Sequence, residues 1–69
     1  MMKKSEIDAM SNSELLRNFI SNMETWATSM NAGNYYKQYE KTSLQLSKEV
    51  VSRGLMTQKD MDYLLEYGG

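Results

Sequence analysis

The sequence contains no cysteine, no histidine and no proline, and only four of its 69 residues are glycine. Without cysteine and histidine the chain has neither disulfides nor the usual ligand sets for zinc, and a serine nucleophile would lack a histidine base. The scarcity of proline and glycine favours helices throughout. A chain of this length rarely builds a core that supplies more than about 3 to 5 kcal/mol of net stability. We therefore expect further burial through self-association or through a partner.

Long hydrophobic runs and an excess of charge of either sign are also missing. No segment approaches the roughly 20 apolar residues of a membrane span, and eight basic against nine acidic residues leave a net charge of −1. Because proteins that bind nucleic acids usually carry a clustered basic surface, this balance argues against a general affinity for nucleic acid. No charged and then apolar leader is visible at the N-terminus. We expect a soluble protein of the cytoplasm.

The longest helical pattern runs over residues 34–53. Five of its side chains recur at intervals of three and four residues and so form one line along a helix, namely Tyr36, Tyr39, Ser43, Leu46 and Val50. We interpret this line as the seam for a partner helix. Leu44 and Val51 lie about 100° from the neighbouring seam residues, so a second neighbour is needed to cover them.

A complementary pattern occupies residues 11–30. Ser11 followed by Glu14 is typical of a helix N-cap. An apolar stripe continues from there at spacings of three and four residues, made of Leu16, Phe19, Met23, Trp26 and Met30. The link to the next helix is short, which implies antiparallel neighbours. We expect the two helices to form a hairpin in which Leu16 lies near Val50.

Shorter patterns occupy the two ends of the chain. We expect residues 1–10 to form a partly disordered arm, because the first residues have nothing to pack against. A third helix is predicted over residues 57–67, where Thr57 followed by Asp60 is a second capping pattern. The expected fold is one all-α domain over residues 1–69, an antiparallel helical hairpin with a short third helix. We expect this small three-helix bundle to self-associate.

No pattern typical of catalysis or cofactor binding is present. Asp60 and Asp62 lie two residues apart and point to different sides of a helix, so they cannot act as an acid–base pair. We expect no enzymatic activity, no cofactor and no metal.

A partner-binding surface is the better prediction. Tyr35 lies beside the turn, where it could make an outward contact, and lysines form a positive strip on the second helix. The apolar face that the hairpin leaves open would mediate self-association, most simply as a dimer. The predicted contact residues are Tyr35, Lys37, Lys41, Leu44, Val51 and Leu55.

The order of Glu14-Leu15-Leu16, Phe19, Tyr39 and the segment KEVVSRG at 48–54 resembles the small uncharacterised accessory proteins found in phages and prophages of Gram-positive bacteria. Such proteins begin with a short helix of this kind and end in a charged helix, and many bind a host or phage protein. The resemblance implies stoichiometric protein–protein binding, for example as an inhibitor or adaptor of a host defence protein.

Two other interpretations remain open. In the first, an oligomer sequesters a small anionic ligand such as a nucleotide, with tyrosines stacking on it and Lys37 or Lys41 near the anion. In the second, residues 47–67 form a helix-turn-helix whose second helix would read DNA. That helix carries three carboxylates against the single Lys59, so it would bring a net charge of −2 toward the phosphates.

Overall fold

The computed structural model describes residues 2–33 and 37–67, and these residues form four α-helices and no strand. The helices are α1 (Lys4–Asp8), α2 (Asn12–Asn31), α3 (Lys37–Ser52) and α4 (Gln58–Tyr67). The all-helical class predicted from the sequence is confirmed. The described chain nevertheless has one helix more than the predicted bundle, because a short helix precedes the hairpin.

Helices α2 and α3 pack against each other and supply most of the core. α2 begins at the predicted cap, where the Glu14 backbone N–H donates to Ser11 Oγ at 3.1 Å. The buried hydrophobic side chains are Ile7, Leu15, Phe19, Met23, Leu46, Val50 and Met61. Full burial of a side chain of this size stabilises a fold by about 1.5 to 3 kcal/mol. Each of them therefore matters in a core this small.

The predicted seam on α3 lies in the interface. Ser43, Leu46 and Val50 are buried and Tyr39 is half-buried, while Tyr36 lies outside the described residues. On α2 the stripe is buried in its middle and opens toward the turn, since Met30 is exposed. Its buried members are Phe19 and Met23, and its half-buried members are Leu16 and Trp26.

Small and polar side chains allow α2 and α3 to approach closely. Ser43 and Ser47 are both buried, and their small volume leaves room for the opposite helix. Asn22 Nδ2 donates to the Tyr39 backbone oxygen at 2.9 Å and to Ser43 Oγ at 2.6 Å. Ser47 Oγ donates to the Leu44 backbone oxygen at 2.8 Å. Because buried polar groups are costly only when unpaired, these bonds make the polar seam tolerable.

The beginning of the chain packs against the hairpin, contrary to the expectation that its first residues have nothing to contact. Ile7 is only 5% exposed, and Met2 packs against the core. The Gln45 side-chain amide pairs with the Met2 backbone, donating to its oxygen at 3.0 Å and accepting from its N–H at 3.2 Å. Leu15 lies outside the predicted stripe and is nevertheless fully buried. Ile7 and Leu15 belong to the same core cluster, so the N-terminal segment adds to the core of the hairpin.

Arg53 joins α1, the start of α2 and the end of α3. Its Nη2 donates to the Ile7 oxygen at 2.9 Å and its Nη1 to the Met10 oxygen at 2.7 Å. Nη1 also lies 3.3 Å from Asn12 Oδ1, and Nε donates to Glu49 Oε2 at 2.8 Å. The last carbonyls of a helix have no partner within the helix. The guanidinium group supplies donors to the carbonyls at the end of α1 and just beyond it.

A left-handed glycine ends α3 and turns the chain toward α4. Gly54 has φ of 74°, and its N–H donates to the Val51 oxygen at 3.0 Å, while the Leu55 N–H donates to the Val50 oxygen at 3.1 Å. This pair of bonds is the Schellman motif, and it directs Leu55 back against the core. α4 then begins at the predicted Thr57 cap, whose Oγ1 accepts from the Asp60 N–H at 3.1 Å.

Replacing Phe19 by Ala should lower the free energy of unfolding by about 3 to 5 kcal/mol, because the ring is 1% exposed and its loss leaves a cavity. Since that loss is comparable with the whole stability expected of so short a chain, the variant should be largely unfolded. Urea denaturation followed by circular dichroism measures the change. The matched control is Met30→Ala, which shortens an exposed residue of the same stripe and should change stability by about 0.5 kcal/mol or less. A Phe19→Ala variant as stable as the parent would refute this core.

Replacing Arg53 by Lys should loosen α1 while the hairpin stays folded. A lysine ammonium is a compact charge and cannot reproduce the planar fork that reaches several acceptors at once. The expected loss is on the order of 2 kcal/mol, from hydrogen bonds that involve a charged donor. Amide hydrogen exchange should show faster exchange at the N–H groups of Ala9 and Met10, with little change in the middle of α2. Arg17→Lys, at an exposed position, is the control, and unchanged protection in Arg53→Lys would contradict this role.

Candidate binding surface

One side of the α2–α3 hairpin carries exposed apolar side chains. On α2, Ile20 comes directly after the buried Phe19, and on α3, Leu44 comes directly after the buried Ser43. Each helical residue is rotated by about 100° from the one before it. In two antiparallel helices this rotation moves both side chains away from the interface toward the same side of the pair. Ile20 and Leu44 therefore share one side of the hairpin.

Hydrogen bonds at two points along the hairpin establish that these residues are also level with each other. Asn22 bonds Ser43 at 2.6 Å, and Asn12 is bonded by Arg53 at 3.3 Å. Asn22 also bonds the Tyr39 oxygen at 2.9 Å, so it is level with the turn of α3 between Tyr39 and Ser43. Because the helices are antiparallel, Ile20, two residues before Asn22, is level with residues 41–45, the turn that contains Leu44.

Helix α4 covers only one end of this side. Near the end of α3, Leu16 and Val51 occupy the same side, and both are half-buried against the core. α4 packs against α3 with its own apolar residues, but its 10 residues span about 15 Å, whereas the 16 residues of α3 span about 24 Å. Ile20 and Leu44 consequently remain 53% and 42% exposed.

A row of lysines borders Leu44. Lys37, Lys41, Leu44 and Lys48 succeed one another at intervals of four, three and four residues, so they lie along one line of α3. All three lysines are exposed, and within residues 2–33 and 37–67 none has a carboxylate oxygen within 4.0 Å. Like charges four residues apart destabilise a helix slightly. An acidic partner would relieve that repulsion.

We call the set formed by Ile20, Leu44 and these three lysines the hairpin surface. It brings together three of the contact residues predicted from the sequence, which are Lys37, Lys41 and Leu44. The predicted contact residues Val51 and Leu55 do not belong to it, because both are half-buried against the core. The predicted Tyr35 lies outside the described residues.

Two members of the hairpin surface were not among the predicted contact residues. Ile20 lies beside the apolar stripe of α2. Its exposure in the structure shows that no other helix covers it. Lys48 could have been found from its spacing alone, since it continues the line of Lys41 and Leu44.

An aromatic pair lies on α4. Tyr63 and Tyr67 are exposed, and their ring centroids are 4.8 Å apart with an interplanar angle of 43°. The residues lie one turn apart, on the opposite side of α4 from the buried Met61. Asp60 and Glu66 are exposed on the same outer face. The outer face of α4 is therefore aromatic and acidic, while the lysine row of α3 is basic.

The described residues hold neither a membrane-crossing helix nor a cluster of carboxylates suited to a metal ion. None of the four helices combines the length and hydrophobicity that crossing a bilayer requires. Within the same residues no group of three or more acidic side chains comes together in a way that could bind a metal. No protein-family model, no curated protein and no solved structure matches the chain. A function therefore has to be inferred from the geometry of the hairpin surface.

Proposed function

We propose that this chain is a small accessory protein, of the phage type that it resembles, which acts by stoichiometric binding to another protein as an inhibitor or adaptor. The observation that carries this proposal is the hairpin surface. Its two level apolar side chains are uncovered, and its lysines have no carboxylate partner within the described chain. A central apolar contact with a charged rim is the usual composition of a protein interface.

The chemistry of the surface indicates the chemistry of the partner. α4 already packs on the covered end of the same side through Met61, Leu64 and Leu65, and it carries exposed carboxylates beside them. A partner helix that continues this packing would place apolar side chains on Ile20 and Leu44 and its own carboxylates on the lysine row. Binding of an amphipathic helix in a groove between helices is a common recognition mode. We therefore expect the partner to present an acidic amphipathic helix.

Affinity capture with paired variants tests the proposal. Tagged parent protein is incubated with lysate of a Gram-positive host, and the recovered protein is identified by mass spectrometry and its affinity measured. Leu44→Ser should weaken binding about five- to thirtyfold, because truncation of a central apolar anchor costs on the order of 1 to 2 kcal/mol. Lys41→Glu should weaken it through charge reversal, mainly by slowing association.

The matched control is Arg17→Glu, which makes the same charge reversal on an exposed residue of α2 outside the hairpin surface. It should bind like the parent, and all three variants should give the helical circular dichroism spectrum of a folded protein. Recovery of no protein above background, or equal binding by all variants, would contradict the proposal. Recovery of DNA fragments that dissociate as salt is raised would instead favour the helix-turn-helix alternative.

Self-association is the second part of the proposal, with the hairpin surface closed by another copy when no partner is present. The acidic and aromatic outer face of α4 complements the lysine row, so a two-fold dimer could pair each face with the other. We expect light scattering coupled to size exclusion to give a dimer mass at micromolar concentration. Leu44→Glu should give a folded monomer, because a carboxylate is costly in an apolar contact but harmless at a position exposed in one chain.

A monomer mass for the parent protein, together with a cooperative melt, would contradict the dimer. It would leave the capture experiment unaffected, because binding of a partner needs the same surface to be free. Raised salt should weaken the dimer, because its pairing depends on the lysine row.

A further inference from the structure

A pocket of about 360 Å³ lies between α1 and α3. Two of its lining residues come from α1 and four from α3, and they are Lys4, Ile7, Gln45, Lys48, Glu49 and Ser52. The volume is at the small end of the range of about 300 to 1,000 Å³ that is typical of ligand pockets. The pocket forms because α1 packs against the hairpin. The residue spacing within a single helix therefore does not predict it.

The charges that line the pocket are unbalanced. The Glu49 carboxylate is engaged by Arg53, whose Nε lies 2.8 Å from Oε2. Lys4 and Lys48 are exposed, and no carboxylate oxygen of the described chain lies within 4.0 Å of either ammonium group. The two lysines therefore face the pocket region without a counter-ion, and an anion is the chemistry that complements them.

The other residues that line the pocket provide an apolar wall and two polar groups. Ile7 is 5% exposed and contributes an aliphatic wall. The Gln45 amide is held in one orientation by its two bonds to the Met2 backbone, at 3.0 and 3.2 Å. Ser52 adds a hydroxyl donor at the end of α3. Because Ile7 and Gln45 are held in place before any ligand arrives, this part of the pocket needs little ordering on binding.

From this arrangement we infer that the pocket binds a small organic anion. Its carboxylate or phosphate group would lie between Lys4 and Lys48, and its apolar part would contact Ile7. Lys4 and Ile7 do not belong to the hairpin surface, and Lys48 is the one residue that the pocket shares with that surface. A bound anion would connect α1 to α3 and so stabilise the folded chain by mass action.

Two-dimensional NMR titration of the full chain tests this inference with defined probes. Phenyl phosphate and benzoate supply both the anion and the apolar group, inorganic phosphate lacks the apolar group, and benzyl alcohol lacks the charge. We expect saturable shifts at the amides of Lys4, Ile7, Gln45 and Ser52 with phenyl phosphate or benzoate. The shifts should be weaker with inorganic phosphate and with benzyl alcohol. Comparing the affinities for phenyl phosphate and for benzoate shows whether the pocket prefers a phosphate or a carboxylate.

Variants make the test specific. Lys4→Gln removes one positive charge at an exposed position and should weaken binding of the better probe at least fivefold while the melting temperature of the free protein stays unchanged. Lys59→Gln makes the same change outside the pocket and should leave binding unaltered. Shifts that spread equally over Lys37 and Lys59, that sodium chloride reproduces at the same ionic strength, or that persist unchanged in Lys4→Gln would overturn the inference.

Discussion

The guanidinium group of Arg53 holds the N-terminal segment against the hairpin. A helix as short as α1 has no stability of its own, because nucleating a helix is costly and five residues gain few hydrogen bonds. Arg53 donates to the backbone oxygen of Ile7 in α1 at 2.9 Å and to that of Met10 just after α1 at 2.7 Å. Both residues lie more than forty positions before Arg53 in the sequence. That attachment keeps Ile7 in the core and closes one wall of the pocket between α1 and α3. The salt bridge to Glu49 keeps the arginine in the orientation that makes these bonds possible.

Packing along the hairpin weakens from the Arg53 end toward the turn. At the Arg53 end, α1 and α4 both cover the hairpin, and Leu15 and Val50 are completely buried. Toward the turn Met30 is exposed, and within the described residues the buried Trp26 Nε1 has no hydrogen-bond partner. A buried donor without a partner costs about 1 to 3 kcal/mol. The hairpin surface lies between these two regions, where the two main helices are in contact but a third layer is missing.

The overall charge of −1 conceals a separation of charge between helices. Exposed lysines line one row of α3, whereas exposed carboxylates concentrate on α4. The balance of charges that argues against a general affinity for nucleic acid is therefore compatible with a local basic surface for an acidic protein partner. The same separation weakens the helix-turn-helix interpretation, because α4, which would have to approach the phosphates, is the acidic helix. It supports the choice of a protein partner or a second copy over DNA.

The sequence by itself determined the features that depend on contacts within a few residues. The caps at Ser11 and Thr57 and the turn at Gly54 use bonds over three to five residues, so residue type and spacing predict them. Periodicity likewise identifies which faces of α2 and α3 are apolar. Only the tertiary structure decided which parts of these faces are covered: Ile7 of α1 joins the core, Val51 and Leu55 pack against it, and Leu44 stays exposed. The physical reason is that an apolar face of a helix must be buried, but its pattern does not indicate which element buries it. The bonds that fix the neighbouring element, such as those of Arg53, join residues far apart in the chain.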